Sequence, residues 1–168
     1  PDGYHTVRMI MQSLSLCDTL FLQKTKEPGI TLSVRNPERF PDVTWDESNL
    51  IYKAAKLFIE TRSLKEGVHI TIDKQIPSAA GLAGGSSDAA ATLKGLNQLF
   101  ETRLTVEELQ ALGVKLGADV PYCIQLGTAL SEGIGEQLTA LPAAPALYCV
   151  LVKPEAAVST KYVYENLK

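Results

Sequence analysis

The sequence is poor in the residues that build metal centres and disulfide frameworks. It holds only two histidines, His5 and His69, and three cysteines, Cys17, Cys123 and Cys149. The cysteines are odd in number and widely spaced, with no C-x-x-C pair, so they read as free thiols of a reducing compartment rather than as zinc ligands or staples. No apolar run approaches the roughly 18 residues that suggest a membrane span, and no signal peptide is visible. A cytoplasmic protein with no membrane partner is the expectation. Positive charge is scarce as well: 16 Lys and Arg stand against 19 Asp and Glu, for a net charge of −3. Without a basic stripe, a nucleic-acid partner is not expected. Internal repeats, low-complexity tracts and obvious linkers are absent.

What is present suits a packed domain. With 168 residues, 45% hydrophobic and 21% charged, the chain can bury a core and has room for one domain, or one domain and part of another. After the turn Pro1-Asp2-Gly3, the apolar positions Val7, Met9, Met11, Leu14 and Leu16 recur as in a half-buried strand. Asp18 is read as a turn and residues 19–22 as the next strand, the two forming an antiparallel ladder. Residues 30–34 alternate cleanly as a third strand, and a polar loop with Pro37 and Pro41 follows. Ser48 or Asn49 caps a helix in which Leu50, Ile51, Ala54, Ala55, Leu57 and Phe58 repeat at helical spacing, ending before Gly67.

Residues 68–73 alternate again, with His69 on the outer, polar phase. Thr105 and Glu108 form a capping box for a helix over 106–116 that Gly117 ends. Residues 122–126 and 127–130 read as short strand segments and 131–136 as a glycine-bearing turn. Residues 147–152 read as a further strand and 159–168 as the start of a helix. Strands and helices are mixed, so the fold class is α+β.

The densest signal is the stretch 77–91, PSAAGLAGGSSDAAA. Gly81, Gly84 and Gly85 allow backbone turns with positive φ and close approach to a ligand. The alanine-rich helix that follows offers unpaired N–H groups and the positive end of its dipole. Ser86 and Ser87 can cap that helix, or touch a phosphate or its metal. A phosphate cradle fits, and so does a plain Gly-Ser turn leading into an ordinary helix. A Walker A loop is excluded because no lysine closes it, and the dinucleotide G-x-G-x-x-G because Leu82 and Ala83 separate the first two glycines.

A second site candidate is Asp119, between a helix end and Pro121, in an apolar neighbourhood where a carboxylate is costly unless paired or used. A turn carboxylate bound to nearby N–H groups fits this placement equally.

Together these stretches carry a resemblance. Pro77, Ser78, Ala79, Ala80, Gly81, Leu82, Ala83, Gly84, Gly85, Ser86 and Ser87 resemble the phosphate loop of the GHMP kinases, which act on galactose, homoserine, mevalonate and phosphomevalonate. The extra glycine is typical of the branch acting on 4-diphosphocytidyl-2-C-methyl-D-erythritol. The segments Gly117-Ala118-Asp119-Val120-Pro121 and Pro1-Asp2-Gly3-Tyr4-His5 are similar to segments of that branch, and residues 131–136 resemble its E-G-x-G-E turn.

The resemblance implies an ATP-dependent kinase of isoprenoid precursor synthesis with magnesium as cofactor and this small molecule as substrate. It makes Asp119 the carboxylate that acts on the acceptor hydroxyl, with Tyr4 and His5 holding the cytidine. It also implies a ribosomal-protein-S5-like N-terminal domain over 1–150 and, over 151–168, the connection toward a second domain. The family's lysine-bearing strand would precede residue 1. On that reading, the 168 residues alone transfer phosphate poorly, and exposed apolar surface admits self-association as a homodimer.

Overall fold

The computed structural model describes residues 6–154. Among the described residues, two three-stranded sheets carry the strands of a mixed α+β fold. In the first, β1 (Val7–Gln12) lies beside β5 (Thr128–Gly133), which pairs in turn with β6 (Gln137–Ala140), all antiparallel. In the second, β4 (Gly67–Asp73) is central, antiparallel to β2 (Thr19–Thr25) and parallel to β3 (Ile30–Val34). A parallel pair needs a crossover. Helix α1 (Leu50–Arg62) supplies it, between β3 and β4.

The second sheet follows from its period-two pattern. Val68, Ile70 and Ile72 of β4 are fully buried, with Leu20, Leu22, Ile30 and Leu32 packed against the same core. The opposite face carries Phe21, which is half exposed, and a polar ladder in which His69 bonds Thr31 at 2.7 Å and Ser33 at 3.1 Å. His69 is thus on the outward phase, as its alternation predicts.

On the inner face lie α1 and α2 (Gly84–Leu99). Asn49 caps α1, its side chain accepting from the Ile51 N–H at 3.0 Å. Thr105 and Glu108 close the expected capping box at the start of α3 (Val106–Val114). The last helical bond there runs from the Gly117 N–H to the Gly113 carbonyl, at 3.1 Å.

Five expectations need correction. β1 and β2 form no ladder with each other. The chain leaves the first sheet at Ser13, whose N–H donates to Gly127 and whose hydroxyl accepts from the Gly127 N–H, so Leu14 and Leu16 are exposed and outside any strand. Asp18 turns inward instead of making a surface turn. Residues 120–125 form helix α4 (Val120–Gln125), where 122–126 was expected as strand, because Pro121 is pre-set for a helix's first turn. Val120 through Ile124 are all buried, and a run buried all round carries no periodicity to separate strand from helix.

Residues 147–152 are unpaired, and Tyr148 and Val150 are almost wholly exposed. Their β-forming side chains find no ladder partner, and a strand exists only by pairing. Finally, the turn expected over 131–136 is shorter, since Ser131 to Gly133 complete β5, and β6 follows it. Tyr4, His5, the turn at Pro1-Asp2-Gly3 and the helix expected over 159–168 lie outside the described residues.

Candidate active site

The loop 77–83 joins β4 to α2 and is shaped by its backbone. Ala79, Gly81 and Ala83 have φ of 48°, 68° and 51°, and the residues between them do not share that sign. Left-handed residues interleaved with ordinary ones turn successive N–H groups toward a common point, a geometry that binds anions. Gly81 is the one glycine of the stretch that needs its conformation, and a Cβ added there would meet nothing within 4 Å.

Gly84 and Gly85 do something else. They are already helical, and a Cβ on Gly84 would stand 3.0 Å from Ile76 Cγ2, and one on Gly85 3.3 Å from Leu50 Cδ1. Their role is close packing of the helix start, which corrects the expectation of positive-φ turns at these two positions.

The serines are also differently placed. The N-cap of α2 is Ala83, and no side chain caps the helix. Ser86 and Ser87 lie inside the first turn, where the Ser87 hydroxyl donates to the Gly84 carbonyl at 2.8 Å. The first N–H groups of a 16-residue helix therefore have no side-chain acceptor, and they point where the positive end of the dipole favours an anion.

Asp119 stands at the N-cap of α4, half-buried, and its side chain does not cap that helix. The competing reading of a carboxylate spent on turn N–H groups finds no such cap bond. Its segment makes two close approaches, one to the first turn of α2 and one to the 133–136 turn. A Cβ on Gly117 would lie 4.0 Å from Ser86 Oγ, and one on Gly135 would lie 3.5 Å from the Ala118 Cβ. The Gly117–Asp119 turn thus lies between the first turn of α2, which it approaches at Ser86, and the 133–136 turn, which it approaches at Gly135. Cys123, one helical turn after Asp119, has its thiol pushed up to about 12 by burial and by the charges of Asp119 and Asp88. It is inert as a nucleophile at neutral pH.

Behind the loop is a cluster that sequence reasoning missed. Lys74 is 4% exposed and bridges two buried carboxylates, Asp18 and Asp88, the latter at 3.3 Å. Burial alone would raise the Asp18 carboxyl, but hydrogen bonds from Lys74, Gln75 and Ile76 outweigh it and hold it below the ordinary value. Burial pushes Asp88 up to about 7, with Lys74 pulling it down and Asp18 pushing it up. A signal existed for Asp88: it shares the buried helical face of Ala89, Thr92, Leu93 and Leu96, where a carboxylate needs a partner.

Comparison with known proteins places this architecture. The family model of the GHMP kinases N terminal domain matches residues 49–127, which span α1, β4, the loop and α2 through α4. A 4-diphosphocytidyl-2-C-methyl-D-erythritol kinase of Lachnoclostridium phytofermentans is 57% identical over 168 residues. Residues 49–127 of the chain are a GHMP kinases N terminal domain.

That alignment covers 100% of this chain and 56% of the relative. The enzyme of the same name from Geobacillus sp. strain WCH70 is 50% identical, over 100% of this chain and 57% of its own length. The chain therefore spans little more than half the length of the curated relatives it matches. Among solved structures, a 4-(cytidine 5'-diphospho)-2C-methyl-D-erythritol kinase superposes with a TM-score of 0.69 at 36% identity, covering 83% of this chain and 47% of that one. Homoserine kinase from Cytophaga hutchinsonii gives 0.72 at 20% identity, covering 90% and 51%, which speaks to the fold alone. The expected α+β N-terminal domain of a GHMP kinase is the fold observed.

Proposed function

We propose that this chain carries the nucleotide-binding loop and the catalytic carboxylate of an ATP-dependent kinase that phosphorylates the 2-hydroxyl of 4-diphosphocytidyl-2-C-methyl-D-erythritol in isoprenoid precursor synthesis, in the cytoplasm. The observation that carries the reaction type is the meeting of the uncapped α2 N-terminus with the Gly117–Asp119 turn. The choice of acceptor rests on 57% identity over the whole chain to an enzyme of that name.

Phosphoryl transfer asks for positioning and charge stabilisation more than for covalent chemistry. The amides of the loop 77–83 and of the first turn of α2 hold the polyphosphate, and Asp119 orients the acceptor hydroxyl and takes its proton. Bound magnesium supplies neutralisation of the phosphate charge, and the Ser86 and Ser87 hydroxyls are the groups in this loop whose chemistry fits it. Tyr4 and His5 take the cytidine, by stacking and by hydrogen bonding to the base edge. Residues 1–150 form the nucleotide domain on this reading, and 151–168 lead out of it.

The test is ADP release by the intact gene product with ATP and magnesium, offered the cytidyl substrate, mevalonate and homoserine in parallel. Turnover is expected with the cytidyl substrate alone, falling by about 10²–10⁴-fold in Asp119→Ala, the range for a lost general base. Turnover only with another acceptor removes the substrate assignment, and an undiminished Asp119→Ala variant removes the role of that carboxylate.

A further inference from the structure

The connection between β1 and β2 contributes a buried side chain that reaches across the fold. Asp18, 2% exposed at its side chain, accepts hydrogen bonds from three consecutive residues at the exit of β4. One oxygen takes the N–H groups of Gln75 and Ile76, the latter at 2.8 Å, and the other takes the Lys74 ammonium. Pro77 has no N–H to offer, so the last backbone donors before the loop are both committed to Asp18.

On the far side of the loop, the same ammonium lies 3.3 Å from Asp88 of α2 and 3.3 Å from where a Cβ on Gly84 would stand. The chain enters and leaves the loop tied to one buried ion cluster. Between the two ties, Ala79 and Ala83 hold a left-handed backbone that L-residues keep only where their surroundings impose it.

We propose that Asp18 is a positioning residue for the phosphate loop: by fixing residues 74–76 and, through Lys74, the first turn of α2, it imposes the converging amide geometry of 77–85. It acts through other residues and touches no reacting atom. Only the identity of the ligand rests on the kinase reading above. The loop's dependence on Asp18 stands on the contacts themselves.

The experiment uses the intact gene product with Asp18→Asn, a change of nearly equal shape that turns one acceptor oxygen into a donor facing donors. Amide hydrogen exchange is read at 75–85 against α3 and β5, and ATP-magnesium affinity against the KM of the acceptor. Exchange at 75–85 is expected to quicken by about tenfold or more while α3 and β5 keep their protection. The ATP dissociation constant is expected to rise about tenfold, the loss of one charge-assisted hydrogen bond, with the acceptor KM within about twofold.

Unchanged exchange at 75–85, or protection lost evenly over the chain, overturns the proposal. So does an unchanged ATP affinity once the loop has loosened. A wild-type protein that binds no ATP, whose loop Asp18→Asn nevertheless loosens, would overturn the kinase reading and leave the positioning role standing. Should Asp18→Asn fail to fold, Asp18→Glu keeps the charge, moves the oxygens by one methylene and is read at the same segment with a smaller expected effect.

Discussion

At the scale of single residues, the loop separates two reasons for glycine. Gly81 needs its backbone angle and has open space around it, whereas Gly84 has ordinary angles and no space. Gly81→Ala is expected to cost about 1 kcal/mol of backbone strain, with no clash. Gly84→Ala is expected to displace Ile76 or Lys74, costing about 1–3 kcal/mol as overpacking does, and to weaken ATP binding by widening the first turn of α2. Urea unfolding and ATP titration of both variants distinguish the two mechanisms.

Asp88 gives the second prediction at this scale. Its folded value of about 7 lies above the ordinary 3.8, chiefly because it is buried. Between those values, the folded protein binds this proton more tightly than the unfolded chain does. The group's contribution is therefore full at acid pH below 3.8 and is lost as pH rises through about 7. Urea midpoints measured at pH 5 and pH 8 should fall more for the wild type than for Asp88→Asn, and equal slopes would count against the raised value.

At the scale of elements, α3 and α4 approach closely because Gly113 is bare. A Cβ there would stand 2.9 Å from Val120 Cγ1 and 3.1 Å from Ile124 Cδ1. Gly113→Ala is thus expected to destabilise by about 1–3 kcal/mol, although alanine is the better helix former, because the facing helix must move. A stabilised variant in chemical denaturation would show that α4 yields instead.

This is also the scale at which sequence was most and least legible. α1 and α3 announce themselves through Asn49 and the Thr105–Glu108 box, because a cap is a local chemical event. β4 is legible from alternation. α4 is not, because it is buried all round. The ion cluster is illegible for a different reason: Asp18, Lys74 and Asp88 are far apart in the chain, and Asp18 among turn-forming neighbours reads as one more turn. The loop's composition pointed to an anion site, while two of its three left-handed positions, Ala79 and Ala83, are alanines and leave no mark in residue type.

At the scale of the whole molecule, α4 is tied to the sheet of β1 and β5 by polar contacts. The hydroxyl of Tyr122, on α4, donates to the Gly127 carbonyl at 2.8 Å and lies 3.1 Å from Ser13 Oγ, where β1 ends. Tyr122→Phe keeps the ring packed and leaves the carbonyl and the serine without this partner. A loss of about 1 kcal/mol is expected, measured by urea unfolding at constant pH.

The pairing of β1 with β5 has a consequence in time. Register runs from Val7 with Gly133 to Gln12 with Thr128, so β1 is completed by a strand that follows β2, β3, β4 and α1 through α4 in the chain. At ribosomal speeds of about 5–20 residues per second, β1 waits on the order of ten seconds for its partner to be made. The sheet of β2, β3 and β4 can close well before then, with β1 still waiting for β5. Among the described strands, β1 therefore waits longest for its partner, and the nascent chain's exposure to wrong pairing is greatest there.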